Sequence, residues 1–174
     1  MTRLIVTTDP PQRLLAAVRA MVDAAFGDGF TDDDWDHALG GTHVVLLDGD
    51  TVVAHAAVVP RTLVVEATIT AGYVEAVATR PDRQREGHGA AVMREAAAQI
   101  RAHYPLGVLS TSRHAFYERL GWERWRGKTF VRDGGTLRRT ADEDAGIMVL
   151  RTALSATLDL ASAMACDARA GDDW

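Results

Sequence analysis

The sequence contains little cysteine, no excess of positive charge and no long apolar run. Cys166 is the only cysteine among 174 residues, so no intrachain disulfide can form and an exported, disulfide-stapled scaffold is not expected. Polar residues interrupt every apolar stretch, so we expect no targeting segment, no membrane-spanning segment and a cytoplasmic location. With 19 basic and 24 acidic residues the formal net charge is −5, which argues against nucleic acid as a partner and favours a cationic ligand.

The six histidines do not have the spacing of metal ligands, so no metal is expected. Two of them, His43 and His55, lie on predicted strands and are interpreted as structural. No activating histidine stands near Cys166 in the sequence, so a covalent acetyl-cysteine intermediate is not expected. The thiol is predicted to pack as a small apolar group.

The length and the apolar content of 47% fit a single domain over residues 1–174 with a full core. The order of alternating and helically spaced apolar residues describes one mixed α/β sheet with flanking helices. The predicted strands are 2–8, two strands joined at Asp48-Gly49, 63–69, 72 to Thr79, 106–110, 123–125 and 147–150. The predicted helices run from Pro10 to Phe26, follow Thr31 as N-cap, cover 88–102, precede Gly121 and cover 154–165. Segment 132–146 is expected to be a mobile loop.

A glycine-rich turn, Gln84–Gly89, lies between a predicted strand and the helix that begins near residue 88. The first main-chain N–H groups of a helix have no partner within it and stand at the positive end of its dipole, so they bind anions such as a pyrophosphate. Gly87 and Gly89 leave room for a phosphate to approach the backbone. An ordinary turn is the alternative, since the spacing matches neither a P-loop nor the dinucleotide-binding glycine pattern.

Two stretches, "VEAVATRPDRQREGHGAAVM" and "AFYERLGWE", resemble the acetyl-CoA motif and a later landmark of the GCN5-related N-acetyltransferase (GNAT) superfamily. The resemblance implies an α/β fold with a mostly antiparallel, splayed central sheet flanked by helices, and acetyl-CoA as co-substrate. It assigns main-chain bonds with the pantetheine arm to Val77 and Thr79, and the pyrophosphate to the amides of Gln84–Gly89. The implied coenzyme-binding residues are Val77, Ala78, Thr79, Gln84, Arg85, Glu86, Gly87, His88 and Gly89.

Three further stretches, "FTDDDWDHALGGTHVVLLDGDTVVAHAAVVPR", "GYVEAVA" and "CDARAGDDW", resemble the aminoglycoside 2′-N-acetyltransferases of mycobacteria and related bacteria over nearly the whole chain. The resemblance implies transfer of an acetyl group to the 2′-amine of an aminoglycoside, which confers antibiotic resistance. Its most specific part is the acidic ending with Trp174, which would bind a sugar that carries several ammonium groups. The alternative for this ending is a solvated acidic tail, against which the tryptophan argues.

The resemblance also implies catalytic roles. Glu75 would accept the proton of the amine through ordered water, and Tyr117 would protonate the departing thiolate. Asp172 and the α-carboxylate of Trp174 would hold the sugar near the reacting nitrogen, and the N–H of Val77 would polarise the thioester carbonyl. The alternatives are a surface residue on a strand edge for Glu75 and a core tyrosine for Tyr117. The implied acceptor-binding residues are Asp34, Trp35, Glu75, Ala76, Ser110, Glu143, Asp172 and Trp174.

Two positions depart from the family pattern. Gly29 stands where some relatives have an aspartate before the residue that matches Phe30, and Ala168 stands where relatives often have tryptophan. Both departures bear on the choice of acceptor.

Two alternatives to this function stay open. One is another amine as acceptor, such as a polyamine, a cell-wall amino sugar or a protein N-terminus, and the other is a non-catalytic module that binds CoA or cationic drugs. Since many relatives are dimers, the resemblance also implies a homodimer.

Overall fold

Three elements contribute residues to both of the units into which the chain divides. The computed structural model describes residues 1–174. The first unit is Met1–Val59 with Val74–Ala98, and the second is Pro60–Tyr73 with Gln99–Trp174. The shared elements are strand β3 (Thr51–Val65), strand β4 (Ala67–Thr79) and helix α3 (His88–His103).

The first unit is built on antiparallel strands covered by a helix. Strand β1 (Thr2–Thr7) pairs with β2 (Thr42–Asp48), and β2 pairs with β3 across the predicted Asp48-Gly49 turn. Helix α1 (Gln12–Phe26) begins after Pro11, as expected, and buries an apolar stripe against these strands. The packed core residues are Val18, Met21, Val22, Val45, Leu47, Val52 and Ala78. Burial of each large apolar side chain contributes roughly 1.5–3 kcal/mol, so this contact fixes α1 on the sheet.

The second unit contains most of the strands. The remaining strands are β5 (Leu106–Ser110), β6 (Glu123–Arg124), β7 (Thr129–Asp133), β8 (Thr136–Arg139), β9 (Ile147–Arg151) and β10 (Met164–Asp167). The order of neighbouring strands is β6-β9-β5-β4-β3-β10-β7-β8. The pairs β4–β5 and β7–β10 are parallel, whereas β5–β9, β6–β9, β3–β10 and β7–β8 are antiparallel. The expected mixed, mostly antiparallel sheet is therefore confirmed.

The pairing between β4 and β5 is short, and the two glycines within it leave no room for a Cβ next to α3 and the residue that follows it. The register joins Gly72 to Gly107 and Tyr73 to Val108 and ends there. A Cβ on Gly72 would lie 2.8 Å from a ring carbon of Tyr104, and one on Gly107 would lie 3.0 Å from Ile100. The brief parallel register agrees with the expected splay of the sheet at β4.

The prediction of a separate strand over 63–69 is wrong. Strand β3 continues through Pro60 to Val65, the chain turns at Glu66 with a φ of 56°, and β4 follows without a break to Thr79. Pro60 lies after Val58, the last residue of β3 that pairs with β2, and before the residues that pair with β10. A proline is tolerated there because no ladder hydrogen bond from its nitrogen is needed.

The segment 132–146, expected to be a mobile loop, contains a β-hairpin. Strands β7 and β8 are joined by Gly134 and Gly135, whose φ angles are 51° and 86°. Positive φ at both positions is the requirement of the two-residue turn that matches strand twist. Two of the charged residues that suggested a loop, Arg138 and Arg139, lie on β8, which stands at the end of the strand order and therefore tolerates polar side chains.

The helix predicted over 154–165 is also wrong. Only Ala153–Ser155 forms a 3₁₀ turn, and the chain later enters β10 between β3 and β7. Leu154, at the start of the predicted helix, is 82% exposed, whereas Met164 and Cys166 are buried. Strand β10 forms because it pairs with segments that are distant along the chain, and the local sequence pattern contains no signal for that pairing.

None of the helices combines the length and the apolar character that a membrane span requires.

Candidate active site

In the first unit, Ala76 interrupts the regular backbone geometry of β4. This residue has a φ of 49°, in the left-handed region that non-glycine residues rarely occupy. Glu75, Ala76 and Val77 are partly exposed, between the buried Val74 and Ala78. Strained backbone of this kind clusters at active sites. The structure therefore has an irregular, partly exposed stretch at the residues predicted to face the acetyl group, and the role of Glu75 stays a prediction.

Two buried histidines lie next to Ala76. His55 is fully buried, and its Nδ1 lies 2.8 Å from the carbonyl oxygen of Ala76. Its Nε2 lies 3.0 Å from Nδ1 of His43, which is 2% exposed. Burial lowers the pKa of His43 and, opposed by the bond to Ala76, lowers the pKa of His55 to about 3. Both rings are therefore neutral near pH 7. The pair is structural, as the sequence suggested, and it also contacts one main-chain group, the carbonyl of Ala76.

The Gln84–Gly89 turn leads directly into α3, as the sequence predicted. Arg85 and Gly87 have φ angles of 67° and 86°, and the turn is largely exposed. Helix α3 begins at His88, and its first helical bond runs from the N–H of Ala91 to the carbonyl of Gly87. The N–H groups before Ala91 belong to the first turn, which has no acceptors within a helix. They are the donors required for an anion.

Arg83, which sequence reasoning missed, organises the side chains of this turn. Its guanidinium donates to Glu86 at 3.0 Å and to Asp48 at 3.1 Å. The hydrogen bond with Arg83 lowers the pKa of Glu86, and the hydrogen bonds with Glu86 and Asp48 raise the pKa of Arg83. His88 Nε2 lies 3.1 Å from Glu86. The Arg-x-x-Glu spacing is the signal in the sequence that could have identified this pair.

Asp34 and Trp35 have structural roles on α2 (Asp32–His37). Asp34 accepts hydrogen bonds from the amide and the hydroxyl of Thr31, both at 2.8 Å, and so completes the capping box of the helix. Trp35 packs against the core under α1, with the Arg19 guanidinium 5.6 Å from its ring centre. Their contact with an acceptor stays a prediction.

In the second unit, Tyr117 lies on the short helix α4 (His114–Glu118) and is 8% exposed. Its ring packs edge-on against Phe116 at 4.9 Å and Trp122 at 6.2 Å. Burial raises the pKa of Tyr117 to about 12, so the hydroxyl keeps its proton over the whole physiological range. Tyr117 is therefore packed like a core tyrosine, which was the alternative to a catalytic role. It also keeps a proton that it can donate.

The acidic ending folds onto the segment that follows β8. Trp174 is 4% exposed, and its indole N–H donates to the Thr140 hydroxyl at 3.1 Å. Its amide donates to Asp172 at 3.2 Å. Burial raises the pKa of Glu143, and repulsion from Asp172, Asp142 and Asp173 raises it further, so Glu143 lies near this ending. The alternative of a solvated tail is wrong for Trp174, and the predicted residues Glu143, Asp172 and Trp174 are brought together.

Arg61, also missed from the sequence, anchors this ending. Its guanidinium donates to the main-chain carbonyls of Asp173 and, at 3.2 Å, Asp167. It lies 4.8 Å from the ring centre of Tyr73 and 5.9 Å from that of Trp174. The Asp173 carboxylate is bound by Arg138 at 2.6 Å and by the Arg169 amide at 3.1 Å. Asp172, by contrast, is exposed, so it is the better placed of the two for a soluble cation.

Ser110 lies at the exposed end of β5, beside the segment that carries Glu143. A Cβ built on Gly146 would lie 3.0 Å from the Ser110 hydroxyl, and the Gly146 amide donates to the Glu143 carbonyl at 2.9 Å. The predicted acceptor residues of this unit thus fall on neighbouring segments.

Cys166 is buried, and burial raises the pKa of its thiol to about 11, which agrees with its predicted packing role.

Comparisons with known proteins identify the family of this chain. The family profile described as acetyltransferase (GNAT) domain matches residues 12–125. An aminoglycoside 2′-N-acetyltransferase from Mycolicibacterium fortuitum is 41% identical over 177 residues, covering 99% of this chain and 91% of the relative.

Solved structures share the fold at low identity. A GNAT family N-acetyltransferase (YhbS) from Escherichia coli in complex with CoA superposes with a TM-score of 0.69 at 17% identity, covering 95% of this chain and 91% of that one. A GNAT family acetyltransferase from Brucella melitensis in complex with acetyl-CoA has a TM-score of 0.57 at 22% identity, covering 80% of this chain and 88% of that one.

Proposed function

This chain belongs to the GNAT acetyltransferases, in the family of the aminoglycoside 2′-N-acetyltransferases, and we propose that it transfers the acetyl group of acetyl-CoA to the 2′-amine of aminoglycosides and so confers resistance to them. The observation that carries the proposal is the 41% identity with such an enzyme over 99% of the chain. The anchored acidic ending supports it, because a polycationic sugar requires fixed carboxylates.

For the coenzyme, we assign the pyrophosphate to the amides at the start of α3. The exposed turn Gln84–Gly89 supplies these donors, and the positive φ angles of Arg85 and Gly87 turn the chain tightly into the helix. The main chain of Val77–Thr79 binds the pantetheine arm. Two relatives in fold were solved with CoA or acetyl-CoA, which supports the same co-substrate here.

For the chemistry, Glu75 and Tyr117 act as base and acid. The acceptor ammonium first loses a proton to Glu75 through ordered water, and the nitrogen of the resulting amine forms a C–N bond with the thioester carbon. The N–H of Val77 stabilises the negative oxygen of the tetrahedral intermediate. As the intermediate collapses, the nitrogen loses a second proton to solvent, which leaves a neutral amide. As the C–S bond breaks, Tyr117 donates its proton to the sulfur and CoA leaves as the thiol. Tyr117 then regains a proton from solvent, and Glu75 releases the one it accepted.

For the acceptor, carboxylates replace the water around its ammonium groups. An ammonium–carboxylate pair at about 4 Å contributes roughly 1 kcal/mol in water and about 4 kcal/mol at an effective dielectric constant near 20. Several such pairs suffice for micromolar binding, on the order of −8 kcal/mol. The residues that we assign to the acceptor are Asp34, Trp35, Glu75, Ala76, Ser110, Glu143, Asp172 and Trp174.

We also propose that the protein is a homodimer, which light scattering of the purified protein tests.

The decisive experiment compares acceptors that differ at the 2′ position. Gentamicin and tobramycin, which carry a 2′-amine, are expected to release CoA from acetyl-CoA, and mass spectrometry of the product should show one added acetyl group at that amine. Kanamycin A, which has a 2′-hydroxyl, is expected to react poorly. Equal rates with both would refute the regiochemistry. A far higher kcat/KM for a polyamine or a peptide N-terminus would replace the substrate class, and CoA binding without turnover of any amine would refute an enzymatic role.

A further inference from the structure

The left-handed conformation of Ala76 has a local cost that a neighbouring group must offset. A non-glycine residue in the left-handed region is destabilised by about 1 kcal/mol, and such strain persists only where the surroundings hold it. A main-chain carbonyl that is shielded from water also needs a hydrogen-bond donor. The donor here is His55, whose ring is fully buried and 2.8 Å from the Ala76 carbonyl oxygen.

This contact fixes the proton positions on both histidines. A carbonyl oxygen only accepts, so Nδ1 of His55 carries the hydrogen and Nε2 of this neutral ring holds a lone pair. That lone pair lies 3.0 Å from Nδ1 of His43, which must therefore carry its own hydrogen. The two rings form a directed chain of donors, from His43 through His55 to Ala76, in which each ring is locked as the Nδ1-protonated tautomer.

Two other roles for a histidine pair do not fit this chain. A proton relay needs a basic group at its far end, and the chain ends at a main-chain carbonyl, which does not take up a proton near neutral pH. A metal site needs further ligands, and no group of three or more histidine, cysteine, aspartate or glutamate side chains is arranged to hold a metal ion. Orientation of the backbone is the role that remains.

We propose that His43 and His55 are positioning residues for acetyl transfer: they hold Ala76 in its left-handed conformation so that Glu75 and the Val77 amide keep their working directions. The inference rests on the proposed function, because Glu75 and Val77 are the two groups assigned to the base and to the oxyanion. Both are covalent neighbours of Ala76, so rotation of the Ala76 peptide displaces them directly. A displacement of about 1 Å in an active site lowers the rate about 10²-fold.

The test uses the full-length enzyme with acetyl-CoA and tobramycin. His55→Leu removes the donor, whereas His55→Asn retains an amide N–H near the position of Nδ1. We expect kcat to fall about 10²-fold in His55→Leu, with a smaller change in KM, and to recover largely in His55→Asn. His103→Leu, at an exposed position on the last turn of α3, is the matched control and should leave kcat unchanged.

A merely structural role is separated by a double-mutant cycle. If His55 acts through Glu75, His55→Leu should lower kcat far less in a Glu75→Gln background than in the wild-type background. Equal effects in both backgrounds, or equal kcat values for His55→Leu and the wild type, would overturn the inference. Should His55→Leu fail to fold, His55→Asn and His43→Gln with the same cycle replace it.

A second readout does not depend on the reaction. Nitrogen-15 NMR of the substrate-free protein should show two neutral histidines with a protonated Nδ1, and His55→Asn should remove one signal and shift the other. A protonated Nε2 on His55 would refute the chain even if acetyl transfer were confirmed. Conversely, the expected tautomers with no turnover of any aminoglycoside would refute the proposed function and leave the Ala76 contact standing.

Discussion

Glu75 is the residue on which the proposed proton transfer depends. Glutamine has nearly the same shape but does not accept a proton, so Glu75→Gln should lower kcat at pH 7 by about 10²–10⁴-fold. Activity should recover partly as the pH rises, because a larger fraction of the acceptor amine is then unprotonated. Pre-steady-state and steady-state rates between pH 6 and 10 measure this, with Asp50→Asn on the exposed β2–β3 turn as control. A pH–rate curve of unchanged shape would remove Glu75 as the base.

Tyr117 is the residue proposed as the general acid. Its pKa of about 12 keeps the hydroxyl protonated, so the wild-type rate should not decline below about pH 11 through loss of this proton. Tyr117→Phe keeps the packing against Phe116 and Trp122, so thermal stability should change little while kcat falls about 10²-fold. The deficit should shrink with an acetyl donor whose thiol is more acidic, since that leaving group needs no proton. An equal deficit with both donors would argue for a packing role.

At the scale of single residues, the sequence suggested roles for residues in continuous motifs and missed contacts between positions that are distant along the chain. Glu75 and the Gln84–Gly89 turn belong to one stretch with a recognisable pattern. Arg61 acts on a carbonyl 112 residues away, and His55 acts on one 21 residues away, so neither has a local signal. Their roles follow only from which strands pair, and that is fixed by the fold.

Among the elements, those with their own apolar face were predictable. Helix α3 was expected over 88–102 and spans His88–His103, because its buried stripe recurs at helical spacing. Strand β10 was mistaken for part of a helix, because its four residues are stabilised by pairing with β3 and β7 rather than by local preference. The β7–β8 hairpin was mistaken for a loop although Gly134-Gly135 is a known hairpin signal, since charge on both sides hid the alternation.

Asp144 secures the β7–β8 hairpin and gives its stability a defined pH dependence. Its carboxylate accepts from the Thr129 amide at 2.9 Å and pairs with Arg139, and these contacts, led by Arg139, lower its pKa to about 2. The folded pKa lies below that of the unfolded chain, near 3.9. The stabilisation is therefore complete above about pH 4 and is lost as the pH falls through about 2.

Asp144→Asn should accordingly lower the free energy of unfolding by about 1 kcal/mol at pH 7, a value reduced for the partial exposure of the pair. The difference from the wild type should vanish between pH 4 and pH 2, as measured by urea denaturation across that range. Asp142→Asn, an exposed change of the same charge nearby, is the control. A destabilisation that persisted at pH 2 would show that the ion pair is not its cause.

Across the whole molecule, charge is distributed so that many arginines neutralise acids of the fold while the net value stays at −5. Pairs such as Arg151 with Glu123 and Arg132 with Asp167 hold strands and loops in place. The remaining negative potential attracts a polycation before any contact forms. The chain therefore combines local neutrality, which the fold requires, with a global charge of the sign that the proposed acceptor requires.

This global charge predicts a salt dependence that separates attraction from chemistry. The Debye length falls from about 10 Å at 0.1 M salt to about 3 Å at 1 M, so exposed carboxylates act on a polycation only at low ionic strength. Between 0.02 and 0.5 M sodium chloride, KM for tobramycin should rise about tenfold while kcat stays constant.

Asp172 is an exposed contributor to this attraction, so Asp172→Asn should raise KM at low salt and flatten its dependence on salt. Asp133→Asn, an exposed change at the end of β7, is the matched control for loss of one charge. A small amine with one positive charge should show a much weaker salt effect, because the attraction scales with the number of charges on the acceptor. If tobramycin and the monoamine lost affinity equally with salt, multiple carboxylates would not be what binds the acceptor, and the polycationic substrate class would fall with them.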